Sequence, residues 1–320
     1  MKDLEFLSFL DHKIKKVEQR MLSDADRYHP DLRAAVEHIL SSGGKRIRPK
    51  VALLVGDIFS SEQTRLTSLC AAIEMLHTAT LVHDDLIDGA LLRRGIPTLN
   101  SDWSPAATVL TGDYIFARAA LLAADVGSAD VTCLFAETLI TIVNGEITQL
   151  FNRNHSPDLE SYYKRIYEKT GSMFVLASKA AAILGTATDK QVSSAEKFGQ
   201  EIGNAFQIVD DILDFSGDES RVGKPVGNDL RQGVITLPAL YFLELYPDDP
   251  DMKAILSGSK DQKKIERLVR KVIESGCVKQ AHEAALQSVQ QADGFLEDFP
   301  DSPVRDSLQK LTGYIVDRDF

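Results

Sequence analysis

Cysteine is scarce in this chain of 320 residues: Cys70, Cys133 and Cys277 are the only three. They are too far apart for a zinc motif and too few for a disulfide framework, so a reducing cytoplasm is the expected setting. Positive charge is the scarcer sign, with 36 Lys and Arg against 47 Asp and Glu and a net charge of −11. No long basic run gathers those cations, which argues against a nucleic-acid partner. The opening stretch MKDLEFLSFLDHKIKK lacks the apolar core of a signal peptide. No uninterrupted apolar run reaches the ~18 residues of a membrane-spanning helix, so none is expected. Runs of alternating β-branched residues bounded by hairpin turns are nearly absent. The phosphate-binding G-x-x-x-x-G-K-[ST] loop and the D-x-[DN]-x-[DN]-G calcium loop are both missing. Asn154-His155-Ser156 fits a glycosylation sequon, but with no export signal to use it.

What remains is helical. Ala, Leu, Glu, Lys and Gln fill most windows, and apolar residues recur every three or four positions, most clearly over 67–90, 129–152, 192–216 and 279–296. Gly43-Gly44, Gly95-Ile96-Pro97, Ser104-Pro105, Ser156-Pro157, Gly223-Lys224-Pro225 and Tyr246 to Pro250 read as connections. The polar stretches 258–270 and 297–308 read as an exposed face or short connections. No linker or repeat divides the chain, so residues 1–320 are expected to form one all-α domain. Helices of ~20 residues would be ~30 Å long, enough to wall a deep cavity.

Two clusters carry the chemistry. Asp84-Asp85-Leu86-Ile87-Asp88 and Asp210-Asp211-Ile212-Leu213-Asp214 share one spacing, which stacks the first and last aspartates on one helix face. Like charges at i,i+4 destabilise a helix, so helix propensity gives no reason for either cluster. A shared Mg²⁺ does, because it takes carboxylate oxygens and keeps waters and substrate phosphates in its shell. Gln207 lies three residues before Asp210, on the same face. A single such cluster would be as well explained as a solvated helix end; two with equal spacing, both flanked by apolar residues, are not.

A metal-bound diphosphate also needs cations from the protein. Gly43-Gly44-Lys45-Arg46-Ile47-Arg48-Pro49 offers glycine backbone for close approach and three basic side chains. Arg93-Arg94-Gly95 follows Asp88 within a turn or two, and Lys169-Thr170 and Gly223-Lys224-Pro225 complete the set.

In this order the motifs GGKRIRP, DDLID with RRG, KTG, and QIVDDILD with GKPVGNDL resemble those of the trans-isoprenyl diphosphate synthase (polyprenyl synthetase) family, and they span Gly43 to Leu237. The resemblance implies an antiparallel helix bundle around a deep central cavity (the isoprenoid synthase fold), with the two clusters facing each other across its mouth in a homodimer. It implies that Lys45, Arg48 and Arg94 bind the diphosphate of isopentenyl diphosphate, with His77 assisting. Asp84 and Asp88 would hold Mg²⁺ on an allylic diphosphate that Arg93 also contacts. Lys169, Thr170, Gln207 and Lys224 would line the allylic site. Asp210, with Asp211 or Asp214 nearby, would hold a further ion, for three Mg²⁺ in all with diphosphate bound. The family's second lysine in its D-L-x-x-G-K stretch is replaced here by Val234, so that phosphate contact is either missing or supplied by Arg231.

The implied reaction is ionisation of the allylic diphosphate, attack by isopentenyl diphosphate and loss of a proton. Ala79 and Thr80, one turn below Asp84, are small. In the family this pattern resembles medium- and long-chain enzymes that extend farnesyl or geranylgeranyl diphosphate, and the ending Tyr314-Ile315-Val316-Asp317-Arg318-Asp319-Phe320 resembles octaprenyl-type enzymes of quinone biosynthesis. Ile142 and Val143 are candidates for the residue that ends growth. Release of so long a product would bring the enzyme to a membrane surface. A shorter-chain farnesyl or geranylgeranyl enzyme, or a subunit of a heteromeric synthase, is the alternative. A penicillin-binding protein is a poorer match, since Ser42-Gly43-Gly44-Lys45 and Lys169-Thr170-Gly171 lack the accompanying S-D-N element. A class I terpene cyclase is poorer too, because it usually carries N-D-x-x-S-x-x-x-E where the second aspartate cluster stands.

Overall fold

In the computed structural model the described residues are 4–23, 29–41, 43–93, 95–151, 157–216 and 226–317. Arg94, Lys224, Ser42, the sequon Asn154-His155-Ser156 and the last three residues lie outside them.

A 3₁₀ turn, Leu4–Leu10, leads into α1 (Asp11–Leu22), followed by α2 (Pro30–Ser41), α3 (Ile47–Ile58) and α4 (Gln63–Ile87). Next come β1 (Leu92–Arg93), β2 (Ile96–Pro97), α5 (Leu99–Asp102), α6 (Pro105–Asp125) and α7 (Ala129–Phe151). The second half holds α8 (Leu159–Ile166), a π-helical turn Tyr167–Gly171, α9 (Ser172–Ile183), α10 (Asp189–Ser216), α11 (Asn228–Gln232), α12 (Leu237–Leu245), α13 (Pro250–Leu256), α14 (Gln262–Glu274), α15 (Cys277–Leu296) and α16 (Pro303–Val316). The four long helical windows read from periodicity correspond to α4, α7, α10 and α15.

The helices start where local chemistry starts them. Glu62 accepts hydrogen bonds from the Thr64 and Arg65 amides at the head of α4. Ser104 and Ser302 cap α6 and α16, each followed by a proline whose missing N–H costs nothing in the first turn. Asp158 and Ser161 form a reciprocal capping box on α8.

The sequence-based expectations need three corrections. Gly95-Ile96-Pro97 is not a plain loop: Ile96–Pro97 pairs antiparallel with Leu92–Arg93. The turn is made by Gly95 at φ +78°, a conformation that a β-carbon disfavours. Residues 262–274 are not a connection but an amphipathic helix, with Ile265, Leu268, Val269 and Val272 buried along one face among polar neighbours. Finally, α6 and α7 are long and apolar enough, by length and composition, to cross a membrane, because scattered polar residues do not cancel their mean hydropathy. No more than 44% and 22% of their apolar windows is buried.

The buried apolar side chains form one continuous cluster running from Leu7 to Val316. Within it α4 runs along α6, α10 along α9 and α15, and α3 packs on α4 and α9. Glycine allows the contact that matters most for the site. A β-carbon on Gly203 of α10 would stand 2.6 Å from the Gly171 Cα, so only glycine lets α10 approach the π-helical turn.

Candidate active site

Both aspartate clusters occupy the last turns of their helices. Asp88 caps α4, its amide donating to the Asp84 carbonyl at 2.8 Å, and Asp214 lies in the final turn of α10. A helix C-terminus carries the negative end of the macrodipole, so six carboxylates at two such ends must be answered by cations or hydrogen-bond donors. These are helix ends, as the alternative reading held, but they are only partly solvated. Asp85 and Asp211 are buried, Asp84 and Asp210 are half-buried, and Asp88 alone of these five is exposed.

In the first cluster the middle aspartate faces the hairpin. Arg93 Nε donates to both Asp85 oxygens, at 2.9 and 3.0 Å, and a second guanidinium nitrogen lies 2.8 Å from Oδ1. This fork locks β1 onto the end of α4. Asp84 looks elsewhere. Burial pushes its carboxyl up to about 6, Lys169 and Arg93 pull it down, and Glu146 and Asp88 push it further up. Lys169 Nζ is 3.1 Å from Glu146 Oε1. Burial works against the lysine's charge, but Glu146 and Asp84 outweigh it and raise its pKa. Sequence reasoning missed Glu146. Its only signal was a carboxylate set in the apolar α7 next to Gly145, where a β-carbon would collide with Glu168.

The second cluster has a different frame. Asp211 accepts from the Tyr162 hydroxyl at 2.8 Å and from Gln207 Nε2 at 2.9 Å. Gln207 Oε1 in turn accepts from the Thr170 hydroxyl at 2.7 Å. Burial pushes the Asp211 carboxyl up to about 6 against both hydrogen bonds and Arg165. Asp214 accepts from the amides of Asn228 and Asp229 at 3.0 and 3.1 Å, fastening the turn before α11. Thr170 and Lys169 both stand on the π-helical turn, a local widening that redirects side chains.

One cavity of about 550 Å³ joins the two clusters. Lys45, Arg48, His77, Asp85, Arg93 and Asp210 border it. The Arg48 guanidinium stacks over Phe174 at 4.9 Å and Phe206 at 5.6 Å from the ring centres, and Lys45 lies 5.2 Å from the Tyr314 ring centre. Arg46 also borders the cavity but is paired with Glu74 at 2.7 Å. The structure thus brings the predicted basic loop, the hairpin arginine and both clusters together. Arg231 does not join them: its guanidinium meets the Gln262 side chain and the Val226 carbonyl.

The chain-length candidates lie off this cavity. Ala79 is fully buried, and the Thr80 hydroxyl donates to the His77 carbonyl at 2.7 Å. Ile142 is buried, whereas Val143 is 44% exposed on α7.

The donor set suits Mg²⁺. Asp84, Asp88 and Asp210 present carboxylate oxygens, hard ligands of the kind that ion takes. Among the described residues no three acidic, His or Cys side chains converge closely enough to hold an ion unaided. A cation here would complete its shell with substrate oxygens and water.

The polyprenyl synthetase family model matches residues 29–273. Over 288 residues the chain is 35% identical to octaprenyl diphosphate synthase of Escherichia coli, covering 88% of each protein. It is 33% identical to heptaprenyl diphosphate synthase component 2 of Geobacillus stearothermophilus, over the whole of both. The fold superposes with a TM-score of 0.90 on a polyprenyl synthase from Caulobacter crescentus crystallised with calcium and isoprenyl diphosphate, at 28% identity, covering 99% of this chain and 98% of that one.

Proposed function

Because this chain belongs to the polyprenyl synthetase family and is a prenyltransferase, we propose that it is a Mg²⁺-dependent synthase that condenses isopentenyl diphosphate with farnesyl or geranylgeranyl diphosphate into a long all-trans polyprenyl diphosphate, for quinone side chains. The observation that carries this reading is the single cavity bordered by Lys45, Arg48 and His77 on one side and by residues of both aspartate clusters on the other.

Lys45, Arg48 and His77 hold the diphosphate of isopentenyl diphosphate. Lys169 and Thr170 face the allylic diphosphate from the π-helical turn, with Gln207 orienting Thr170. Mg²⁺ bound by Asp84, Asp88 and Asp210 would neutralise the leaving diphosphate as charge builds on it. The Glu146–Lys169 pair keeps the lysine charged and close to Asp84 before substrate arrives. Phe206, which borders the cavity with Arg48 over its ring, helps exclude water that would capture a carbocation.

The names of the octaprenyl and heptaprenyl relatives support a long product. An outward apolar stripe on α7, Ile140, Val143, Ile147, Leu150 and Phe151, supports a homodimer. The name "component 2" of the Geobacillus relative favours a second reading, a subunit that works with a different protein.

Incubating the purified chain with Mg²⁺, isopentenyl diphosphate and farnesyl diphosphate, with products read by mass spectrometry, tests all of this. A ladder ending at long polyprenyl diphosphates supports the proposal, and a main product of geranylgeranyl length or shorter refutes long-chain synthesis. Inactivity alone that a second protein relieves favours the heteromer.

A further inference from the structure

Between Gly44 and Pro49 stand three cations, Lys45, Arg46 and Arg48. The first and third have an assignment on the cavity wall; the second has none. Arg46 is conformationally unusual. Its backbone is left-handed, φ 49° and ψ 41°, one of two non-glycine residues with positive φ among the described residues. A β-carbon is strained there, and such strain persists where the side chain is held firmly enough to impose it. Glycines stand only two and three positions earlier, at Gly44 and Gly43, yet this position carries arginine.

The side chain shows what imposes it. Its guanidinium donates to Glu74 Oε1 on α4 at 2.7 Å, to Glu18 Oε1 on α1 at 3.2 Å and to the Leu40 carbonyl on α2 at 3.1 Å. The Arg46 and Glu74 side chains are only 9% and 7% exposed, so this is a buried ion pair. Glu74 lies three residues before His77 on α4, and both border the cavity. Without Arg46, the Glu74 carboxylate would stand uncompensated beside the place where a diphosphate is to bind.

We propose that Arg46 is a positioning residue for the isopentenyl diphosphate site: its buried pair with Glu74, tied to a left-handed backbone, sets Lys45 and Arg48 on the cavity wall and cancels a carboxylate that would repel the substrate. This rests on the prenyl synthase reading above. The substrate's phosphates meet Lys45 and Arg48, and Arg46 acts through them.

Arg46→Gly isolates the side chain, because glycine takes the left-handed conformation without strain. The expected result is a rise of roughly tenfold or more in KM for isopentenyl diphosphate, with kcat and KM for the allylic substrate within about threefold of wild type. Adding Glu74→Gln to Arg46→Gly removes the uncompensated charge and is expected to recover part of the loss. Arg46→Lys, which keeps the charge but cannot reach three acceptors, falls between. An unchanged KM for isopentenyl diphosphate in a folded Arg46→Gly protein overturns the proposal. So does an equal loss in both substrates, as a merely structural role would give. If glycine prevents folding, the same comparison is made with Arg46→Lys, and an unshifted KM there overturns it. A wild-type protein with no prenyl transfer would sink the enzymatic reading instead. Calorimetric binding of inorganic diphosphate to wild type and Arg46→Gly then still decides the positioning role: weaker binding to the variant supports it and equal binding refutes it.

Discussion

In the first aspartate cluster the middle carboxylate is held by a cation from outside its helix, Arg93 on the hairpin; in the second it is held by a phenol and an amide, Tyr162 and Gln207. The spacing of the two clusters is the same and their surroundings are not. Near the mouth, where Asp88 is exposed, a forked ion pair fastens a short element, a two-residue hairpin, to the end of α4. Deeper in the bundle, neutral donors hold Asp211 in place and burial pushes its carboxyl up. The comparison teaches that in each cluster the middle aspartate, Asp85 or Asp211, is tied down by side chains from other elements and so frames the site, while Asp84, Asp88 and Asp210 are the proposed metal ligands.

The largest test of that division is to remove the facing aspartates. Asp84→Ala and Asp210→Ala are each expected to lower kcat by about a thousandfold at saturating Mg²⁺, as loss of a charge-stabilising group at a leaving diphosphate does. Circular dichroism should show both variants folded. Near-normal turnover in either would break the assignment.

The framing aspartates should respond differently. Asp211→Ala is expected to cost about 2–3 kcal/mol of stability in chemical denaturation, since it strands the Tyr162 hydroxyl and the Gln207 amide. Its activity loss should be smaller than that of Asp210→Ala and should fall mainly on KM for the allylic substrate, because Gln207 no longer orients Thr170. A loss as large as that of Asp210→Ala would erase the distinction between framing and facing groups.

The pH dependence sharpens the comparison further. Asp84 and Asp211 are both pushed up to about 6 from an ordinary 3.8, so between those values the folded chain holds protons more tightly than the unfolded chain. Their contribution to stability is full below about pH 4 and is lost as pH rises through 6. Metal-free thermal denaturation from pH 4 to 7 should show this decline, on the order of 2 kcal/mol per group. Asp211→Asn should flatten part of it. An identical slope in the variant would refute the role of that carboxyl.

The smallest expected effect is at Asp214. Asp214→Ala removes the acceptor for the Asn228 and Asp229 amides and should cost about 1 kcal/mol, comparable to losing a helix cap. A Tm shift of a few degrees, with kcat little changed, is the expected reading.

Much of this was legible from residue order. Periodicity placed α4, α7, α10 and α15, because a buried helix repeats its apolar face every three to four residues. The repeated Asp spacing identified both clusters, since like charges at i,i+4 need a reason. The hairpin escaped because two-residue strands carry no alternation, and α14 escaped because four apolar residues were hidden among charges. Glu146 escaped because its partner Lys169 lies on another element. Tyr162 is 49 residues from Asp211, and only the close packing of α10 on the π-helical turn brings that frame together.

By itself, then, the sequence determined the helical class, the acidic clusters, the basic loop and the family, all of which are written in spacings shorter than a few helical turns. Tertiary structure alone decided the division of labour within each cluster. Whether an aspartate is tied into the frame depends on which side chains from distant elements reach it. The same holds for Arg46, whose charge is spent on Glu74 while its neighbours Lys45 and Arg48 stay on the cavity wall.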